Sequence, residues 1–186
     1  MSFQNGSGTR MSALIYGAYG YTGTLIARAA AEQGLQPVLA GRDADRLSDL
    51  GSTLELPTRR ASLSEPEELR AALDDASVVL HCAGPFVHTA APMVAACLET
   101  GTHYLDLTGE VDVFRRLADR DADAEAAGCM LLPGIGFDVV PSDCLAQFVA
   151  QKTPDANTLE VALYADGTVS RGTLKTLIEQ MGRGGV

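Results

Sequence analysis

Short apolar runs and helical stretches take turns along this chain. The runs "MSALIY" (11–16), "PVLAG" (37–41), "SVVLHCAG" (77–84), "THYLDL" (102–107) and "CMLLPG" (129–134) read as strands, with a weaker β-like stretch at "STLELPTRRASL" (52–63). The near-continuous hydrophobicity of 77–84 is that of a parallel strand covered on both faces. Helical patterns fill the gaps. One has Leu25, Ile26, Ala29, Ala30 and Gln33 on its face and stops at Gly34, and "ADRLSDL" follows Asp43 as its N-cap. The next covers 64–75, with a capping box from Ser64 to Glu67 and Pro66 in the first turn. Another covers 89–99, with Pro92 in its first turn and Gly101 as the stop. A long acidic helix spans 110–127 with Val113, Phe114, Leu117 and Ala118 as its core stripe, ended by Gly128.

Six strand-like segments alternating with helices, joined by right-handed crossovers, predict an α/β fold with a doubly wound, mostly parallel Rossmann sheet. The rhythm changes after "GIGFDVVPSD". A helix is expected over 141–151, an exposed-face strand over 158–164 and another helix over 172–181. The expected organisation is a flexible tail at 1–11, a nucleotide-binding domain at 12–140, and at 141–186 the opening of an α+β substrate or dimerisation domain that is incomplete.

Within this pattern, 14–42 reads as strand, glycine turn, helix and second strand. The glycines Gly17, Gly20 and Gly23 in "GAYGYTG" fall at every third position, one residue wider than G-x-G-x-x-G. Such a turn lets backbone N–H groups approach a pyrophosphate at the positive end of the following helix. Arg42 ends the second strand, 19 residues after Gly23. An acidic residue there accepts from the ribose 2′-OH of NAD, whereas arginine forks onto the 2′-phosphate of NADP. The plain alternative is a solvated strand-end charge paired with Asp43.

Composition narrows the function. With 14 Lys+Arg against 24 Asp+Glu, the net charge of −10 disfavours nucleic acid, and "TRR" (58–60) and "FRR" (114–116) are too short to reverse that. Cys82, Cys97, Cys129 and Cys144 form no C-x-x-C pair and sit in apolar contexts, as buried reduced thiols do. Three scattered histidines offer no metal site. No apolar run reaches the ~18 residues of a membrane span, so a soluble protein is expected.

The segments "GAYGYTGTLIA", "AGR", "HCAGPF", "PMVAACLETGTHYLDLTGE" and "LLPGIGFDVVPSD" together resemble the saccharopine dehydrogenase-like oxidoreductases, related to saccharopine reductase and to the trans-acting enoyl reductases of lipid synthesis. The resemblance implies NADP as cofactor. It places the nucleotide on Gly17, Ala18, Tyr19, Gly20, Tyr21, Thr22 and Gly23, on Arg42, and on Cys82, Ala83, Gly84 and Pro85 of the loop after the fourth strand. It also implies a small-molecule substrate, lipid-like or amino-acid-derived, a homodimer through the second domain, and a cytoplasmic protein that meets membranes only through a lipid substrate. Family members continue past this chain's end, so a pocket between two domains would be incomplete here.

Two function classes follow. The first is NADP-dependent hydride transfer to or from an imine, carbonyl or enoyl carbon, with this chain as the cofactor-binding half. The second is a nucleotide sensor or scaffold without turnover; an inert structural module is a third. Short-chain dehydrogenase chemistry is disfavoured because it needs Tyr-x-x-x-Lys, and Thr108 follows Tyr104 at that spacing. Candidates for proton transfer are His81, His103, Tyr104, Asp106 and Asp138, near predicted strand ends. Each also has a structural reading: His81 as a core histidine, Tyr104 and Asp106 as a lock on the loop to "TGE", Asp138 as a helix cap. No catalytic residue is assigned.

Overall fold

The computed structural model describes residues 12–137 and 139–162. Six strands form one sheet: β1 (Ala13–Tyr16), β2 (Val38–Gly41), β3 (Thr58–Arg60), β4 (Val78–His81), β5 (His103–Asp106) and β6 (Leu131–Leu132). Their spatial order is β3-β2-β1-β4-β5-β6, with every neighbouring pair parallel. The direction of winding therefore reverses between β1 and β4.

Seven helices join and flank the strands: α1 (Tyr21–Glu32), α2 (Ala44–Leu54), α3 (Pro66–Leu73), α4 (Phe86–Thr100), α5 (Val111–Ala118), α6 (Asp121–Ala127) and α7 (Val140–Lys152). Leu14, Ile15 and Tyr16 are consecutive and all buried. Since successive strand side chains point to opposite faces, both faces must be covered. Leu14, Tyr16, Val79 and Tyr104 pack with Leu69 and Leu73 of α3, Met93 and Val94 of α4, and Val113 and Leu117 of α5. Ile15 and Leu39 pack on the other side with Ala27 of α1 and Leu47 of α2.

Several elements depart from the sequence expectation. In α1 the buried positions are Gly23 and Ala27, while Leu25 is half exposed, because close packing on the glycine turn selects small residues over large ones. No capping box forms at α3. Glu65 is its N-cap, Ser64 pairs with the Ser62 hydroxyl, Glu67 pairs with Arg70, and Glu68 bonds Arg60 and the Ser62 N–H. The fourth helix begins at Phe86, so Pro92 lies inside it. The expected helix over 110–127 is two, broken at Asp119 and Arg120.

Residues 158–162 form no strand; the remainder of that expected strand, the helix over 172–181 and the 1–11 tail lie outside the described residues. Cys97 is buried, Cys82 and Cys129 are partly so, and Cys144 is exposed, contrary to expectation. That cysteine sits on α7, which has no fully buried residue and displays Leu145, Phe148 and Val149 at its surface.

Candidate cofactor site between the first and fourth strands

The turn leaving β1 is tied down by its own backbone. Gly17 and Ala18 both donate to the Ala40 carbonyl of β2, at 2.8 and 3.2 Å, and Gly20 donates to Gly17 at 2.9 Å. The Thr24 hydroxyl donates to the Ala18 carbonyl at 3.0 Å. Gly17 has φ +77°, and a Cβ there would stand 2.9 Å from the Cβ of Ala83; one on Gly23 would lie 2.4 Å from the Gly17 carbonyl oxygen. A side chain is excluded at Gly17 by conformation and by space, and at Gly23 by space.

Those bonds leave the donors of α1 open. The helix has Gly20 as N-cap without a side-chain cap, and the N–H groups of Tyr21, Thr22 and Gly23 find no acceptor among the described residues. Open N–H groups at the positive end of a helix are the donors that an anion site uses.

The loop after β4 lies directly beside it. Cys82 donates its N–H to Tyr16 at 2.8 Å, Ala83 fills the space left by Gly17, and Gly84–Pro85 is a cis peptide leading into α4. Burial pushes the Cys82 thiol up to about 12, helped by the nearby Asp106, so it is no thiolate nucleophile at neutral pH. The eleven residues expected here thus lie on the turn after β1, the first turn of α1 and the adjoining loop after β4.

Arg42 follows the last residue of β2 and is exposed, without a hydrogen bond or ion pair to the described residues. It does not pair with Asp43, whose carboxylate instead caps α2 by accepting the Arg46 N–H at 3.1 Å. Asp43 acts as the N-cap expected from sequence.

Deeper in the crevice the titratable groups are sealed. His81 is fully buried, ringed by Tyr16, Phe86 and Tyr104 with centroids at 5.4, 5.5 and 6.1 Å, and neither of its nitrogens has a hydrogen-bond partner among the described residues. Desolvation pushes its pKa down to about 3, so the ring is neutral. The Tyr104 hydroxyl donates to Asp106 at 2.7 Å, and the N–H groups of Thr108 and Gly134 donate to the same carboxyl at 3.0 and 2.8 Å. Burial raises the pKa of both Asp106 and Tyr104. This is the lock on the "TGE" loop, extended to Gly134. His103 accepts the Met130 N–H and so tethers β6. Asp138 lies outside the described residues.

Glu110 escapes a reading from sequence. Its carboxylate accepts the Phe86 and Val87 N–H groups at 2.9 and 2.7 Å and caps α4 from 24 residues downstream. No local signal marks so distant a cap.

Residues 13–132 match the family described as the saccharopine dehydrogenase NADP binding domain. The chain belongs to that family. A trans-acting enoyl reductase of Mycobacterium leprae is 39% identical over 138 residues, covering 70% of this chain and 33% of the relative. One from Mycobacterium tuberculosis is 32% identical over 183 residues, covering 90% and 44%. The chain thus spans less than half the length of these curated relatives. Among solved structures, apo saccharopine dehydrogenase (L-Glu forming) from Saccharomyces cerevisiae superposes with TM-score 0.61 at 14% identity, over 76% of this chain and 31% of that one. That likeness speaks to the fold, a Rossmann-type sheet. Among the described residues, no helix is long and apolar enough to cross a membrane, and no cluster of His, Cys, Asp and Glu could hold a metal.

Proposed function

We propose that this member of the family is the NADP-binding half of an oxidoreductase that moves hydride to or from an imine, carbonyl or enoyl carbon. Residues 141–186 open its substrate and dimerisation domain. The observation that carries the reading is the uncapped start of α1: three N–H groups without an acceptor among the described residues, beside glycines that leave no room for a Cβ. That arrangement fits a pyrophosphate, and Arg42, which follows β2 and has no ion pair among the described residues, fits a 2′-phosphate. The family membership and the enoyl reductase relatives point the same way.

In this reading Tyr21, Thr22 and Gly23 hold the pyrophosphate through their N–H groups, Arg42 selects the phosphorylated ribose, and Cys82 to Pro85 form the wall beside the nicotinamide half. The cofactor, when bound, supplies the hydride chemistry. His81, Tyr104 and Asp106 keep the strand ends rigid from beneath. Their complete burial favours a second reading, a nucleotide-binding sensor or scaffold without turnover. Titration with NADP and NAD, followed by NADPH oxidation against enones, imines and keto acids, separates the two. Micromolar NADPH binding without accelerated oxidation by any of them removes the enzyme reading for this chain. Arg42→Asp should weaken NADP at least roughly tenfold while leaving NAD nearly unchanged; equal losses defeat the 2′-phosphate assignment.

A further inference from the structure

Tyr19 sits in the middle of the glycine turn, where a small residue would suffice to make the bend. Its ring instead reaches across to the end of β2. A Cβ on Gly41 would stand 2.6 Å from Tyr19 Cε1, so glycine at position 41 is what gives the ring its place. The Tyr19 hydroxyl accepts the N–H of Asp43 at 3.2 Å, and the guanidinium of Arg46 lies over the ring at 4.5 Å from its centroid while donating to the Tyr19 carbonyl at 2.8 Å. Asp43 closes the circuit by accepting the Arg46 N–H.

Three segments are joined by these bonds: the phosphate turn, the residues flanking Arg42, and the first turn of α2. Arg42 itself has no hydrogen-bond or ion-pair partner among the described residues, so its launching direction is set by the peptide units on either side. Gly41 before it packs on the ring and Asp43 after it bonds the hydroxyl. We infer that Tyr19, held by Arg46, is a positioning residue that aims Arg42 at the 2′-phosphate and thereby sets the preference for NADP over NAD. The inference rests on the NADP reading above. A charged fork delivers its two bonds only when held in register with its target, and an unaimed arginine must give up rotamer freedom on binding.

The test is a set of dissociation constants for NADP+ and NAD+ on the 186-residue chain, with melting temperatures to confirm folding. Tyr19→Ala should weaken NADP+ roughly tenfold and NAD+ less than about twofold. Tyr19→Phe, which keeps the ring and the stacked guanidinium, should lose about threefold for NADP+. Gly41→Ala, which displaces the ring without touching residue 19, should reproduce Tyr19→Ala. In an Arg42→Asp background, Tyr19→Ala should leave the NADP+ to NAD+ ratio unchanged, since its effect runs through Arg42. Equal losses for both nucleotides in Tyr19→Ala, or a ratio that does not move, overturn the inference. If Arg42→Asp collapses the ratio and Tyr19→Ala does not, the positioning role alone falls; if the unaltered chain shows no preference for NADP+, the 2′-phosphate reading falls with it.

Discussion

Gly17 illustrates how a single missing methyl shapes this site. At φ +77°, with Ala83 behind it, the residue joins two loops that are 66 positions apart in sequence. Gly17→Ala would impose both a left-handed strain and a 2.9 Å contact that backbone must relieve. It should cost about 2 kcal/mol in urea unfolding and weaken nucleotide binding more than tenfold, because the turn moves along with its donors. Gly34, also at positive φ, has open space where its Cβ would stand, so replacement there meets only the conformational strain.

At the scale of elements, caps decide where helices begin. The α4 N-terminus relies on the Glu110 carboxylate, and Glu110→Ala would strand the Phe86 and Val87 N–H groups in a largely buried place. The expected loss is about 2 kcal/mol in chemical denaturation, partly restored by Glu110→Gln, which keeps one acceptor oxygen. The same cap explains why this helix begins three residues before the expected start at 89: Phe86 lacks any local N-terminal signal, and the stabilising group arrives after β5. Strand existence and the glycine turn were legible because buried parallel strands and positive-φ turns restrict residue type at each position. The α1 face follows closeness of approach and not apolar size: Gly23 lies against Gly17 and Ala18, and Ala27 is buried in the same cluster as Ala18. The break at Asp119 and Arg120 carries no sequence signal, because the amphipathic stretch before it and the acidic, alanine-rich stretch after it are both helical and no glycine or proline separates them.

For the molecule as a whole, His81 makes folding sensitive to acid. The unfolded chain takes up a proton on this ring below about pH 6.5, whereas the folded chain does so only near pH 3. Between those values the unfolded state holds more protons, so stability falls as pH falls. At pH 4.5 this amounts to about 3 kcal/mol relative to neutral pH. His81→Leu should remove that slope in urea unfolding at pH 7 and 4.5 with little loss at neutral pH, since no hydrogen bond is given up. Equal acid sensitivity in the variant would assign the slope to other groups. Buried Asp106, with a raised pKa, works the opposite way: its contribution is present below the ordinary aspartate range and declines as pH rises through its folded value.

Two helices begin at the crevice where the sheet reverses direction, and each would ordinarily offer its positive pole to a phosphate. Because a protein carboxylate already occupies the pole of α4, the crevice has one electropositive address instead of two. For the dinucleotide of the proposed function this is an asymmetric field, one that favours the phosphates at α1 and leaves the end beside α4 to the nicotinamide.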